Sequence, residues 1–181
     1  GWYDTPEFSG NPITMIAPNS IGDRTFYAKW TPKIYTITYI LNGGTLPDGA
    51  PTTYTIESPT IYLPIPTRTA YDFVCWRYMN ETGTIFDKIT TGSVGNYTFY
   101  ATWTPTVYKI IYHVYDGIMP AEYPTTYTIE SQTVTLPRPT MEGHVFVGWY
   151  DNPELSGIPI REIPSGSYGD VEFFAYWRKL I

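Results

Sequence analysis

The alternation of apolar and polar residues along the chain predicts short β-strands. Residues 35–39 alternate strictly, so that Tyr35, Ile37 and Tyr39 fall on one face of an extended segment. No stretch keeps the period of an amphipathic helix. The pattern therefore predicts a β-dominated protein. The other predicted strands cover residues 53–57, 73–76, 98–103, 108–112, 126–130, 146–149 and 172–177.

Glycine, asparagine and proline mark the connections between these strands. Asn42, Gly43 and Gly44 follow the first strand, and residues of this kind adopt a positive φ at low cost in turns. Pro64 and Pro66 interrupt the segment between the second and third strands. Because proline has no backbone N–H to donate, this segment is not expected to be a central strand.

The chain repeats itself with a period of about 73 residues. The octamer PTTYTIES at residues 51–58 recurs unchanged at residues 124–131, which is 73 positions later. Tryptophans recur at two places of the repeat, at residues 2, 76 and 149 and at residues 30, 103 and 177. We therefore divide the chain into the C-terminal half of a truncated repeat, a complete repeat and a second complete repeat, each complete one with four strands. These are the half-unit (1–30), the middle unit (31–104) and the C-terminal unit (105–181).

The closing strand of each unit keeps its residue types on one face and varies on the other. Phe99, Ala101 and Trp103 have counterparts of the same types in both other units, whereas the alternate positions change. A constant face beside a varying face is typical of a strand with one side in the core. The predicted structural core consists of recurring aromatic residues: Trp2, Phe26, Trp30, Phe73, Trp76, Phe99, Trp103, Phe146, Trp149, Phe173 and Trp177.

Four motifs occur in the same order in the middle unit. They are an alternating strand ending in Asn-Gly-Gly (35–44), a proline-rich stretch (63–66), an aromatic segment ending in Cys-Trp (70–76) and Tyr-Ala-x-Trp (100–103). The C-terminal unit carries related versions. Together they resemble the Listeria–Bacteroides repeat family of the internalin B-repeat type, and they cover essentially the whole chain. Ala70, Cys75 and His144 depart from the family pattern.

The resemblance implies both a fold and a location. It implies a β-rich α+β class, in which each repeat is a small β-grasp (ubiquitin-like) unit, here with little or no helix. It also implies an extracellular position on the bacterial cell surface or cell wall, in a secreted protein built from tandem repeats. The family brings no catalytic residues to transfer.

Charge and hydropathy exclude two classes of partner. The chain has 17 acidic and 11 basic residues and a net charge of −6, and its basic residues form no run or stripe that would neutralise phosphates. We therefore expect no nucleic-acid partner. No apolar stretch approaches the roughly 18 residues that a membrane-spanning helix requires, so we expect no membrane insertion.

The residues with reactive side chains give no recognisable site. His113 and His144 are the two imidazoles, and each stands where the other unit has an ordinary residue. Cys75 takes the place of a glycine and is expected to be a small buried thiol. Glu57 and Glu130 recur in the octamer but belong to different units and are expected to be solvated. We predict no enzyme activity, no cofactor and no metal.

The remaining hypotheses concern binding. We expect a spacer or stalk that also acts as an adhesin, with an unknown protein or host-surface ligand as partner. The alternative is a carbohydrate-binding module that uses exposed aromatic residues. A further possibility concerns the missing strands of the truncated half-unit. It obtains them either from the following unit or from a second chain, and the latter would be self-association. The candidates for surface contact are the tyrosines that do not recur: Tyr62, Tyr78, Tyr115, Tyr123 and Tyr176.

Overall fold

The computed structural model describes residues 1–181, and all its regular structure is β. No helix long and apolar enough to cross a bilayer is present. The prediction of a β-dominated chain is thereby confirmed. The strands are β1 (Trp2–Tyr3), β2 (Tyr27–Ala28), β3 (Tyr35–Ile40), β4 (Thr53–Tyr54), β5 (Ile61–Tyr62), β6 (Tyr71–Tyr78), β7 (Ile85–Phe86), β8 (Lys88–Ile89), β9 (Tyr97–Pro105), β10 (Tyr108–His113), β11 (Thr126–Tyr127), β12 (Val134–Thr135), β13 (His144–Tyr150), β14 (Glu162–Ile163) and β15 (Val171–Lys179).

The middle unit is built on a five-stranded mixed sheet in the order β4-β3-β9-β6-β7. The first strand, β3, runs parallel to the last strand, β9, and antiparallel to β4, while β6 runs antiparallel to β9. The middle strand is β9, which pairs with β3 on one side and with β6 on the other. A register shift between Phe73 and Cys75 bends β6.

The structure corrects the prediction of four strands per unit. A separate two-stranded ribbon, β5 with β8, lies outside the main sheet, and β7 extends the sheet beside β6. These ladders are only two residues long, so they are too short to produce a readable alternation. The second predicted strand shrinks to β4, because a turn begins at Thr55, whose N–H donates to Ser58 Oγ at 2.9 Å.

The C-terminal unit repeats this architecture with small differences. Its main sheet has the order β11-β10-β15-β13, and β12 pairs with β14 as a separate ribbon. The register shift recurs at the same place, between Phe146 and Gly148. The counterpart of β7 is reduced to one isolated bridge between Trp149 and Ile160.

Each complete unit encloses its own hydrophobic core. Trp76 and Phe99 are buried in the middle unit, as Trp149 and Phe173 are in the C-terminal unit. The indole N–H of each buried tryptophan donates at 2.7 Å to a carbonyl of the proline-rich crossover. This bond ties the crossover over the core. Four other predicted core residues are half-buried and pack against these clusters: Phe73, Trp103, Phe146 and Trp177.

The half-unit does not obtain a core of this kind. Strand β2 pairs only with β1, so the following unit does not supply the missing strands, and that prediction is wrong. Trp2 is 55% exposed and Trp30 is 87% exposed, so their assignment to the core is wrong as well. In the complete units the equivalent tryptophans pack against the first half of the repeat: Trp76 donates to the Pro64 carbonyl and Trp103 to the Leu41 carbonyl. Residues 1–30 contain only the second half of a unit, and Phe26 is only half-buried.

Candidate functional site

The two histidines lie in separate, simple environments. His113 Nε2 lies 3.0 Å from Glu172 Oε2, and its ring stacks on Phe174 with a centroid separation of 4.4 Å. His144 Nδ1 lies 2.9 Å from the carbonyl oxygen of Glu142. No group of three or more His, Cys, Asp or Glu side chains is arranged to hold a metal ion. Cys75 is a free, half-buried thiol on β6.

The joint between the middle and C-terminal units is short. Strand β9 ends at Pro105 and β10 begins at Tyr108, so two residues separate the sheets of the two units. Thr106 donates its N–H to the carbonyl oxygen of Ala70 at 3.0 Å and its hydroxyl to Asp72 Oδ1 at 3.0 Å. These bonds fix the first residue after β9 against the middle unit.

A side-chain hydrogen bond also crosses between the units. The Tyr71 hydroxyl donates to Glu130 Oε1 at 2.9 Å. This bond is the main reason why the pKa of Tyr71 is raised above its ordinary value, since ionisation would remove the donated proton. Glu130, which was expected to be solvated, therefore has a partner in the preceding unit. The identical octamer was a sequence signal that could have pointed to Glu130, but nothing in the sequence indicated Tyr71 as its partner.

The half-unit presents an open apolar cleft beside the β1–β2 ladder. The cleft has a volume of about 310 Å³ and is lined by Trp2, Ile13, Thr14, Met15, Ile16 and Phe26. Strand β2 also keeps one edge without a neighbouring strand. Such an edge, with its free N–H and C=O groups, is a surface onto which another strand can pair.

Most of the chain matches one known family of repeat domains. The family model of the Listeria-Bacteroides repeat domain matches twice in tandem, at residues 35–102 and 108–175. The chain belongs to the Listeria-Bacteroides repeat family. Each match begins at the first strand of a complete unit and ends within its closing strand. The resemblance to the Listeria–Bacteroides repeat family drawn from the sequence motifs is thereby confirmed.

Two relatives from Evansella cellulosilytica contain related sequence. One, named "Putative Gly-rich membrane protein", is 27% identical over 158 residues, which is 86% of this chain and 18% of that protein. The other, named "Putative membrane protein", is 32% identical over 135 residues, which is 73% of this chain and 19% of that protein. The chain thus spans about a fifth of the length of these relatives. No solved structure matches the chain.

The candidate contact tyrosines are spread over both Listeria-Bacteroides repeats. Tyr62 on β5 is 71% exposed, and Tyr115, Tyr123 and Tyr176 are also exposed, all three in the C-terminal unit. Tyr78 differs from the prediction, because its ring packs against Phe86 and Tyr97, at centroid distances of 5.4 and 5.2 Å. The structure therefore does not bring the five candidates together in one site.

Proposed function

We propose that this chain is a non-catalytic spacer segment of a secreted bacterial cell-surface protein, in which tandem repeats hold their neighbours at a restricted angle and offer adhesive protein contacts. The observation that supports the proposal is the short joint between the two complete units. Two residues separate β9 from β10, and Thr106 is bonded to Ala70 and Asp72 of the middle unit. A connection of this kind transmits orientation, whereas a flexible linker would lose it.

The internal organisation of each repeat supports the spacer role. Each complete unit encloses its own core, and units of this kind build arrays in which each repeat contacts its neighbours. We propose that each unit is a β-grasp fold without its helix. The order of the first, second, third and last strands in the sheet, with the first parallel to the last, supports this assignment. The proline-rich crossover would then stand where the helix is expected.

The surface location is supported by the family and by its relatives. Both curated relatives carry names that place them among membrane proteins, and each is several times longer than this chain. A repeat segment that separates other parts of a cell-envelope protein fits this context.

The arrangement of histidines, thiol and carboxylates described above offers no nucleophile beside a base, which fits a role without catalysis.

The spacer proposal predicts a narrow distribution of distances between the two complete units. This distance can be measured by double electron–electron resonance between two nitroxide labels. The labels are attached at Ile65→Cys and Ile158→Cys, both at exposed positions, in a Cys75→Ser background. We expect one narrow peak. The control carries a ten-residue Gly-Ser insertion after Thr106 and should give a broad distribution. A distribution as broad in the unaltered joint as in the control would refute the spacer proposal.

Carbohydrate binding is the competing function, and the spread of the exposed tyrosines argues against it. A glycan array probed with the chain, and with Tyr62→Ala and Tyr115→Ala variants, is expected to show no ligand. Reproducible binding that either variant abolishes would favour the carbohydrate-binding hypothesis over protein adhesion.

Self-association through the half-unit is a separate proposal, supported by the open cleft and the free edge of β2. The cleft-lining Met15 is exposed and offers a direct test. Sedimentation equilibrium should show a concentration-dependent dimer that Met15→Glu disrupts. A chain that stays monomeric at high concentration would exclude this partner.

A further inference from the structure

The identical octamer folds into the same anchored turn in both complete units. In the middle unit the N–H of Thr55 donates to Ser58 Oγ at 2.9 Å, and in the C-terminal unit the N–H of Thr128 donates to Ser131 Oγ at 2.9 Å. The glutamate N–H of each octamer donates to the same threonine hydroxyl, at 3.3 and 3.2 Å. The threonine and serine of the octamer therefore have roles inside their own unit.

The octamer tyrosine has an internal role as well. Tyr54 and Tyr127 are buried, and their hydroxyls donate to the carbonyl oxygens of Gly95 and Gly169, respectively. The glutamate is different, because no hydrogen bond joins its carboxylate to its own unit. Its presence in both octamers is thus not explained by the fold of a single repeat.

The carboxylate of Glu130 instead reaches the preceding unit. It accepts the proton of the Tyr71 hydroxyl at 2.9 Å, across the two-residue joint. Glu57 is presented by the same turn but makes no side-chain hydrogen bond in this chain. The two glutamates are therefore a matched pair: Glu130 has Tyr71 of the preceding unit within reach, whereas the half-unit position equivalent to Tyr71 falls before residue 1.

Tyr71 is held in position for this contact by its own unit. The guanidinium of Arg68 lies 3.6 Å from the centroid of the Tyr71 ring, and the N–H of Tyr71 donates to the carbonyl oxygen of Arg68. Arg68 in turn packs closely over Gly43 of the Asn-Gly-Gly turn. At the corresponding positions the C-terminal unit has Met141 and His144, so this receptor surface belongs to the middle unit.

We propose that the octamer glutamate is a docking residue between repeats, and that Arg68 and Tyr71 of one repeat form the surface that receives the glutamate of the next. We call this contact the glutamate clasp. The inference deepens the proposed spacer function, on which it rests, by naming the residues that set the angle between neighbours. A hydrogen bond to a charged acceptor is stronger than a neutral one. The short joint already holds the partners close together, so one bond can select an orientation at little further entropic cost.

Residual dipolar couplings of the full chain test the clasp directly. In the unaltered protein we expect couplings from the middle and C-terminal units to fit one alignment tensor. Glu130→Ala and Tyr71→Phe should each produce two tensors, with a lower degree of order for one unit. The double variant, Glu130→Ala with Tyr71→Phe, should lower the degree of alignment order of that unit no further than either single variant does. The control Glu57→Ala removes the same side chain from the same turn and should leave one tensor.

The outcomes separate the clasp from the spacer proposal. Amide shifts of the core residues in each unit confirm that a variant remains folded, since both changes lie at the surface. One shared tensor in Glu130→Ala and Tyr71→Phe would overturn the clasp while the joint itself still restricted the angle. Two tensors in the unaltered protein would overturn both proposals. A change in Glu57→Ala equal to that in Glu130→Ala would also overturn the clasp, because it would show an effect inside the turn.

Discussion

The same repeat position holds a packed tryptophan in one unit and an exposed one in another, which permits a controlled test of the core. Trp103 donates its indole N–H to the carbonyl oxygen of Leu41 at 2.9 Å and meets the ring of Phe73 edge-on at 5.6 Å. Trp30 occupies the equivalent place in the half-unit and is 87% exposed. We predict that Trp103→Ala destabilises its unit strongly and that Trp30→Ala does not.

The expected magnitude follows from what the indole of Trp103 contacts. Truncation of a core tryptophan to alanine costs about 3–5 kcal/mol. Because Trp103 is half-buried, we expect the lower end, about 3 kcal/mol. Of this, about 1 kcal/mol comes from leaving the Leu41 carbonyl without its donor, and about 1 kcal/mol from the lost aromatic pair with Phe73. For Trp30→Ala the expected change is within about 0.5 kcal/mol, as for most surface substitutions.

Urea titration followed by NMR amide resonances measures each unit separately, whereas the fluorescence of six tryptophans would mix the units. Trp103→Ala should lower the urea midpoint of the middle unit and leave that of the C-terminal unit nearly unchanged. A shift no larger than that of Trp30→Ala would refute the assignment of Trp103 to the core. A loss of equal size in both units would instead show that the repeats unfold together.

Four further predictions concern the turn and the buried phenols. Gly44→Ala should destabilise the middle unit by about 1–3 kcal/mol, because an added Cβ would lie 2.4 Å from Cζ2 of Trp103, and urea midpoints would show this. Tyr39→Phe should cost about 1 kcal/mol through the lost 3.0 Å bond to the Pro51 carbonyl. Tyr112→Phe should be neutral or stabilising in the same titration, because the buried Tyr112 hydroxyl has no partner. Finally, burial raises the pKa of Tyr39 to about 12, from an ordinary value of 10.0, so the unfolded chain ionises first. The contribution of Tyr39 to stability should be constant below pH 10 and be lost between pH 10 and 12, so Tyr39→Phe should reduce the fall in stability over that range. If Tyr39→Phe left the pH dependence of stability between pH 10 and 12 unchanged, the raised pKa assigned to Tyr39 would be contradicted.

Much of the fold could be predicted from the sequence because the relevant signals are local. The period of the repeat, the alternation in β3 and the constant face of β9 all depend on residues a few positions apart. Ile37, Phe99 and Ala101 are buried as that alternation indicates. The proline-rich crossover was also predictable as an interruption, since proline removes a donor wherever it stands. The two-residue strands were not predictable, because ladders of that length leave no period to read.

Only the tertiary structure decided which recurring residues are covered and which surfaces meet. Trp30 and Trp103 share a repeat position, yet one is exposed and the other packed, because burial depends on strands far away in the sequence. Tyr71 donates to Glu130, which lies 59 residues further along the chain, and no local pattern marks that pair. The sequence by itself determined the repeat, its β character and its inward faces. Contacts between residues far apart in the sequence, within a unit and between neighbouring units, determined the rest, since such a contact requires both surfaces to be in place.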